Sequence, residues 1–199
     1  MHKIIKYTFY TGITLSLLSL FLVIFTYFAI KNDLPEIKFV DESELQMPLK
    51  IYTKDGVLIG EFGEIKRRAS SFDDIPNDIK NAFLAAEDDN FFNHQGISYS
   101  GLLRSFIRCI SPSGCQGGGG TITMQVVRGY LLTPEQTIIR KIKEIFLALE
   151  LEGNIDKEEI FELYVNRIFL GNRSYGIEAA ANTYFNKSLI DLTISESAT

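Results

Sequence analysis

Hydrophobic and polar positions divide the chain into three stretches with different periodicity. After Met1-His2-Lys3-Ile4-Ile5-Lys6, no charged residue appears from Tyr7 to Ile30, and Lys31-Asn32-Asp33 ends the run. Those 24 residues would span about 36 Å as a helix at ~1.5 Å per residue, enough for a tilted membrane crossing. The run is hydrophobic all round, which argues against a buried core helix. Its exit, Thr26-Tyr27-Phe28-Ala29-Ile30, is a poor site for signal-peptide cleavage. We therefore read residues 1–6 as a cytoplasmic tail and 7–30 as an uncleaved signal anchor. Lys3 and Lys6 favour a cytoplasmic N-terminus, with everything after Lys31 outside the inner membrane.

Residues 31–48, with prolines at 35 and 48, form a juxtamembrane connector. Leu49-Lys50-Ile51-Tyr52-Thr53 then alternates, Lys54-Asp55-Gly56 supplies a turn, and Val57 to Phe62 runs extended. That is a β-hairpin signal, so 31–70 is assigned to connector and hairpin.

From 71 onward the period becomes helical. Asp74 to Glu87 is expected as one helix opened near Pro76, with Ile79, Ala82, Phe83 and Ala86 on its apolar face. Ser98 to Ile110 is a second, with Leu102, Leu103, Phe106 and Ile110 spaced for one face. Residues 111–120 read as a Pro/Ser/Gly loop ending in four glycines. Thr133-Pro134-Glu135-Gln136 is a helix start: Thr as N-cap, Pro at the first position, Gln closing a capping box. That helix should bury Ile138, Ile142, Ile145, Phe146 and Leu149. Asp156-Lys157-Glu158-Glu159 opens another, stopped by Gly171, and Tyr175 to Tyr184 is an Ala-rich helix. Thr193 to Ala198 looks like the start of a further one, so the chain reads as a fragment.

Charge and cysteines narrow the function classes. Net charge is −5 with no long basic run, which argues against nucleic acid as a partner. Cys109 and Cys115 bracket Ile-Ser-Pro-Ser-Gly and could form a local disulfide in an oxidising compartment, but their spacing fits no four-ligand metal signature.

Three segments carry candidate chemistry. Glu87 falls in the last turn of its helix, beside apolar packing and near the negative end of the helix dipole. Both favour a carboxyl able to take up a proton. Taken alone, it is one of 25 acids, and an ordinary solvated acid at a helix end is the stronger reading. On the helix after Pro134, Gln136, Arg140, Lys143 and Glu144 share a face, with Lys141 on the flank. Cations around one carboxylate suit an anionic substrate, although such a face is also an ordinary ion-paired surface. Gly117 to Arg128 combines glycines with Thr121, Thr123, Gln125 and Arg128; no Gly-Lys-Ser/Thr follows at Walker spacing.

Together these segments resemble family 51 peptidoglycan glycosyltransferases, found in class A penicillin-binding proteins and in monofunctional transglycosylases. The resemblance rests on Glu87-Asp88-x-x-Phe91-x-x-His94-x-Gly96, on Gly-x-x-Thr121-Ile122-Thr123-x-Gln125, and on Arg140-Lys141-x-x-Glu144. Ile160-Phe161-Glu162-Leu163-Tyr164-Val165-Asn166 and the stretch from Gly171 to Lys187 continue it in order and spacing. It covers about 50–199 and is most like the N-terminal part of a class A protein, with a transpeptidase domain expected beyond Thr199. Residues 71–199 are then a glycosyltransferase domain, incomplete at its C-terminus, of mainly α, lysozyme-like fold.

The resemblance implies an inverting polymerisation of lipid II with a lipid-linked glycan strand as donor, at the bacterial inner membrane. Glu87 is implied as the base that deprotonates the acceptor's sugar 4-hydroxyl, and Glu144 as the second catalytic acid. Arg104, Thr121, Gln125, Arg128, Arg140 and Lys143 are implied in substrate binding; Asp88, Phe91, His94 and Asn166 are secondary candidates. No protein metal site is implied, and the cofactor expectation is limited to a divalent cation, Mg or Mn, near the diphosphate. Other cell-wall synthesis proteins are expected as partners. Five positions depart from the family pattern: Gly120 stands for the usual Ser, Gln136 for Arg, Gly129 for Asn, Asn186 for Gly, and Arg128 for Lys. The rival readings are a lysozyme-like glycan hydrolase built on the same carboxylates and a non-catalytic scaffold of the cell-wall machinery.

Overall fold

The computed structural model describes residues 2–31, 33–35, 49–62, 70–110, 120–133 and 137–199. Two compact units, Met1–Glu36 and Ile37–Thr199, are treated separately. The first is helix α1, His2–Lys31, whose segment Phe9–Lys31 has a mean hydropathy of 2.4. Apolar side chains are exposed along most of its length. Hydroxyls of Thr14, Ser19 and Thr26 bond back to carbonyls one turn earlier, so these polar groups need no water.

The second unit opens with strands β1, Leu49–Tyr52, and β2, Leu58–Phe62, paired antiparallel from Leu49↔Phe62 to Tyr52↔Leu58. The turn places Gly56 at φ +82°, a conformation that glycine adopts without a Cβ clash. Among the described residues seven α-helices follow: α2 Asn77–Glu87, α3 Tyr99–Ile110, α4 Ile122–Leu131, α5 Ile138–Glu152, α6 Lys157–Arg167, α7 Ile177–Phe185 and the short α8 Ile194–Ser197. The unit is mainly helical, as expected.

The central element is α4, which the glycine-and-hydroxyl reading of 117–128 did not anticipate. Its N-cap is Thr121, whose hydroxyl accepts from the Met124 N–H, and Ile122, Thr123, Met124, Val126 and Val127 are all buried. It packs against α5 and α6. An aromatic cluster of Phe72, Phe83, Phe91, Phe161 and Tyr164 joins α2 to α6 through edge and tilted ring contacts.

Several boundaries differ from expectation. The helix ending at Glu87 begins after Pro76, because its first turn bonds back to the Pro76 carbonyl. Helix α5 starts from Thr137, whose hydroxyl accepts from the Arg140 N–H, rather than from Thr133. Residues 134–136, with the expected capping box, lie outside the described residues, as does the 111–119 loop with Cys115. Leu149 is 41% exposed; the buried face of α5 is instead Glu144, Leu147, Ala148 and Leu151. Helix α6 ends at Arg167, not Gly171, since 168–176 turns back through a Phe169↔Tyr175 bridge. Helix α7 accordingly begins at Ile177, and Asn186 closes it in the left-handed conformation at φ +52°. Asn is the residue after Gly best suited to that cap, so its replacement of the usual Gly costs little.

Candidate active site

Helix α2 stops at Glu87 because Asp88 leaves helical geometry (φ −160°, ψ 78°) and the chain enters a 3-10 turn at Phe91–Asn93. Glu87 is therefore exposed at a corner. Its Oε2 accepts from Gln125 Nε2 at 2.8 Å, and Oε1 has no partner among the described residues. The expected apolar neighbours, Ile79, Ala82, Phe83 and Ala86, line a cavity of about 550 Å³ alongside, but Glu87 itself is not buried among them. This cavity is mainly apolar and runs on to α7 and Ser197–Thr199.

The neighbouring Asp88 is buried. Its Oδ2 accepts from the backbone N–H of Ile122 at 3.1 Å, the first residue of α4, and from His94 Nε2 at 2.9 Å. A carboxylate at a helix N-terminus satisfies an otherwise orphan donor and suits the helix dipole. Thr121 adds a second tie, donating to the Gly96 carbonyl at 2.5 Å. Gly96 sits at φ +80°, and a Cβ there would stand 2.7 Å from the Ala148 carbonyl oxygen. The Glu87–Gly96 segment is thus clamped between α4 and α5, which brings Gln125, one turn into α4, against Glu87.

Glu144 has a different setting. It is 1% exposed, and Arg140 Nη1 donates to its Oε1 while Lys141 Nζ donates to Oε2 at 3.0 Å. Both oxygens are taken by cations, so the carboxylate orients Arg140 and Lys141. Lys141, rather than Lys143, is the lysine paired with it; Lys143 is half-buried. The Nζ of Lys141 lies 3.6 Å from where a Cβ on Gly120 would be, which puts this triad over the entry to α4. Arg140 Nε is buried without a hydrogen-bond partner among the described residues. Among the described residues Glu87 and Glu144 share no hydrogen bond: Glu87 is tied to Gln125 of α4, and Glu144 to Arg140 and Lys141 of its own helix.

The remaining candidates divide between surface and frame. Arg104 on α3 and Arg128 in the last turn of α4 are exposed, and Arg128 lies three residues from Gln125 on one face. Phe91 is a buried core ring, with Lys157 Nζ 4.3 Å from its centre. Asn166 is buried and holds the Ser70 backbone through both its N–H (2.8 Å) and its carbonyl (2.9 Å), a tie across the domain rather than a substrate group. Gln136 lies outside the described residues.

Sequence reasoning gave no role to Tyr164, although it stood inside a quoted motif. Burial pushes its phenol well above the ordinary value, Glu87 adds to the rise, and Arg128 opposes it. Glu87 and Arg128 therefore act electrostatically on the same buried group. Its hydroxyl has no partner among the described residues.

Among the described residues no three His, Cys, Asp or Glu side chains converge, and each oxygen of Glu144 already accepts from a cation. We derive no step through a metal.

Glu87 thus stands at an exposed corner held by Gln125 of α4, while Arg140 and Lys141 hold the buried Glu144 on α5. The transglycosylase family profile matches residues 55–199, so the chain belongs to that family and carries a glycosyltransferase domain. Penicillin-binding protein 1A of Pseudomonas aeruginosa is 45% identical over 196 residues, 98% of this chain and 24% of that protein. Penicillin-binding protein 1A of Haemophilus influenzae is 51% identical over 157 residues, 79% of this chain and 18% of that protein. A crystal structure of the latter protein aligns with 77% of this chain and 13% of its own length, at 34% identity and a TM-score of 0.37. The chain spans about a quarter or less of the length of these relatives.

Proposed function

We propose that this chain polymerises lipid II into β-1,4-linked glycan strands for the bacterial cell wall. The observation that carries the reading is Glu87, exposed with Oε1 open and Oε2 held by Gln125. Glu87 takes the proton of the acceptor's sugar 4-hydroxyl. The oxygen attacks the anomeric carbon of the lipid-linked donor with inversion, the bond to the diphosphate breaks, and undecaprenyl diphosphate leaves with the electron pair. Arg140, Lys141 and Arg128 offset the charge that develops on the leaving diphosphate. Glu144 serves as the anchor of Arg140 and Lys141.

Helix α1 anchors the protein in the inner membrane with its N-terminus cytoplasmic, which keeps the domain on the surface where both lipid-bound substrates lie. Likeness to penicillin-binding protein 1A supports a place in a bifunctional enzyme.

Full-length protein in detergent, given labelled lipid II, tests the reading. Wild type should yield polymer and Glu87→Gln none. Shortening of preformed glycan would instead make the protein a hydrolase. Neither product would leave a scaffold role and defeat the proposal.

A further inference from the structure

Arg167, the last residue of α6, lies three positions after Tyr164 and so shares its side of the helix. Its guanidinium carbon stands 4.3 Å from the centre of the Tyr130 ring, and that ring is pinned by its hydroxyl, which donates to the Leu163 carbonyl at 3.3 Å. The arm crosses α4 at Gly129. A Cβ there would meet Arg167 Nε at 3.0 Å and Cδ at 3.3 Å, tighter than ordinary packing allows. Gly129 is four residues after Gln125, so the two occupy one face of α4 about 5–6 Å apart. Arg167 therefore crosses α4 one turn beyond the Gln125–Glu87 contact, at the residue that follows Arg128.

Neither Arg128 nor Arg167 is paired with a carboxylate among the described residues. Arg128 directly precedes the glycine that Arg167 crosses, so an anion at this end of α4 can accept from both guanidiniums. A guanidinium stacked by its face keeps its edge N–H groups for a ligand, in a fork that matches phosphate. We propose that Arg167 is a further anion-binding residue of this site, that it takes a phosphate oxygen of the lipid-linked substrate beside Arg128, and that Gly129 seats it. The proposal rests on the glycosyltransferase reading above. It also gives a physical role to one departure from the family pattern: the usual Asn at 129 would bring a Cβ against the arm, and glycine lets the arm lie flat.

The test uses full-length protein in detergent, lipid II as substrate and inorganic diphosphate as competing anion. Arg167→Gln should raise the KM for lipid II and the Ki of diphosphate about ten-fold, the loss of one charged hydrogen bond, with kcat changed less than about two-fold. Gly129→Ala keeps the charge but lifts the arm, and should shift both constants the same way by a smaller factor. Arg167→Lys should recover part of the loss. A stacked arginine with only a packing role would lower the melting temperature and leave KM and Ki alone. Unchanged constants in both Arg167→Gln and Gly129→Ala, with Glu87→Gln still inactive, would overturn the assignment while leaving the glycosyltransferase reading standing. Should Arg167→Gln fail to fold, Gly129→Ala alone decides. Absence of polymer from wild type would instead defeat the wider reading.

Discussion

Gln125 donates from Nε2 to Glu87 Oε2 at 2.8 Å across 38 positions of sequence, and this contact orients the open oxygen of the proposed base. Gln125→Leu keeps the side chain's bulk and removes the donor. We expect kcat for lipid II polymerisation to fall about ten- to hundred-fold with a smaller change in KM. An unchanged kcat would mean that Glu87 is oriented by something else.

Asp88 holds both the Ile122 N–H and His94. Asp88→Ala leaves two buried groups without partners and should destabilise the domain by about 3 kcal/mol. The measurement is the midpoint of chemical denaturation in detergent; a midpoint equal to wild type would show that α4 is docked without it.

Glu144 is buried between Arg140 and Lys141. Removing it in Glu144→Ala leaves the partly buried Arg140 and the more open Lys141 without their counter-charge, at a cost of about 2–3 kcal/mol. Activity and stability should fall together. Lost activity at full stability would point to direct chemistry by Glu144 instead.

Gly96 and Gly56 both have positive φ, but only Gly96 meets backbone at 2.7 Å; nothing lies within 4 Å of a Cβ at Gly56. Gly56→Ala should cost about 1 kcal/mol from backbone strain alone. Gly96→Ala should cost at least about 2 kcal/mol, because the Ala148 carbonyl must also move. Equal melting temperatures for the two variants would contradict the clamp.

The Glu196 carboxyl is lowered from 4.5 to about 2, chiefly by the Lys187 ammonium and then by the Thr193 N–H and hydroxyl. A depressed acid contributes stability above its unfolded value and loses it as pH falls through the folded one. The α8 capping box should therefore be intact above pH 4.5 and weaken from there toward pH 2. A side-chain carboxyl NMR titration of Glu196 reads this directly; a midpoint near 4.5 would remove the pairing.

Local pattern was enough for the apolar run of α1, the hairpin and most helices. Spacing and side-chain type along a few turns determine which face can be buried, and that information is short-range. It assigned no element at α4, which four glycines precede and whose start alternates hydroxyl and apolar residues. That helix forms because Asp88, 34 positions earlier, supplies an acceptor at its first turn and because α5 and α6 cover its apolar residues.

The chain by itself thus determined an anchor, a helical domain and the identities of its acids and cations. Tertiary structure decided their roles. Glu87 and Glu144 are the same side chain in sequence, but one ends a helix at an exposed corner and the other faces the interior, where it binds two cations. Arg167 carries no local signal at all. Its place depends on α6 crossing α4 at a glycine. Contacts of that kind arise from helix packing, which no run of adjacent residues encodes.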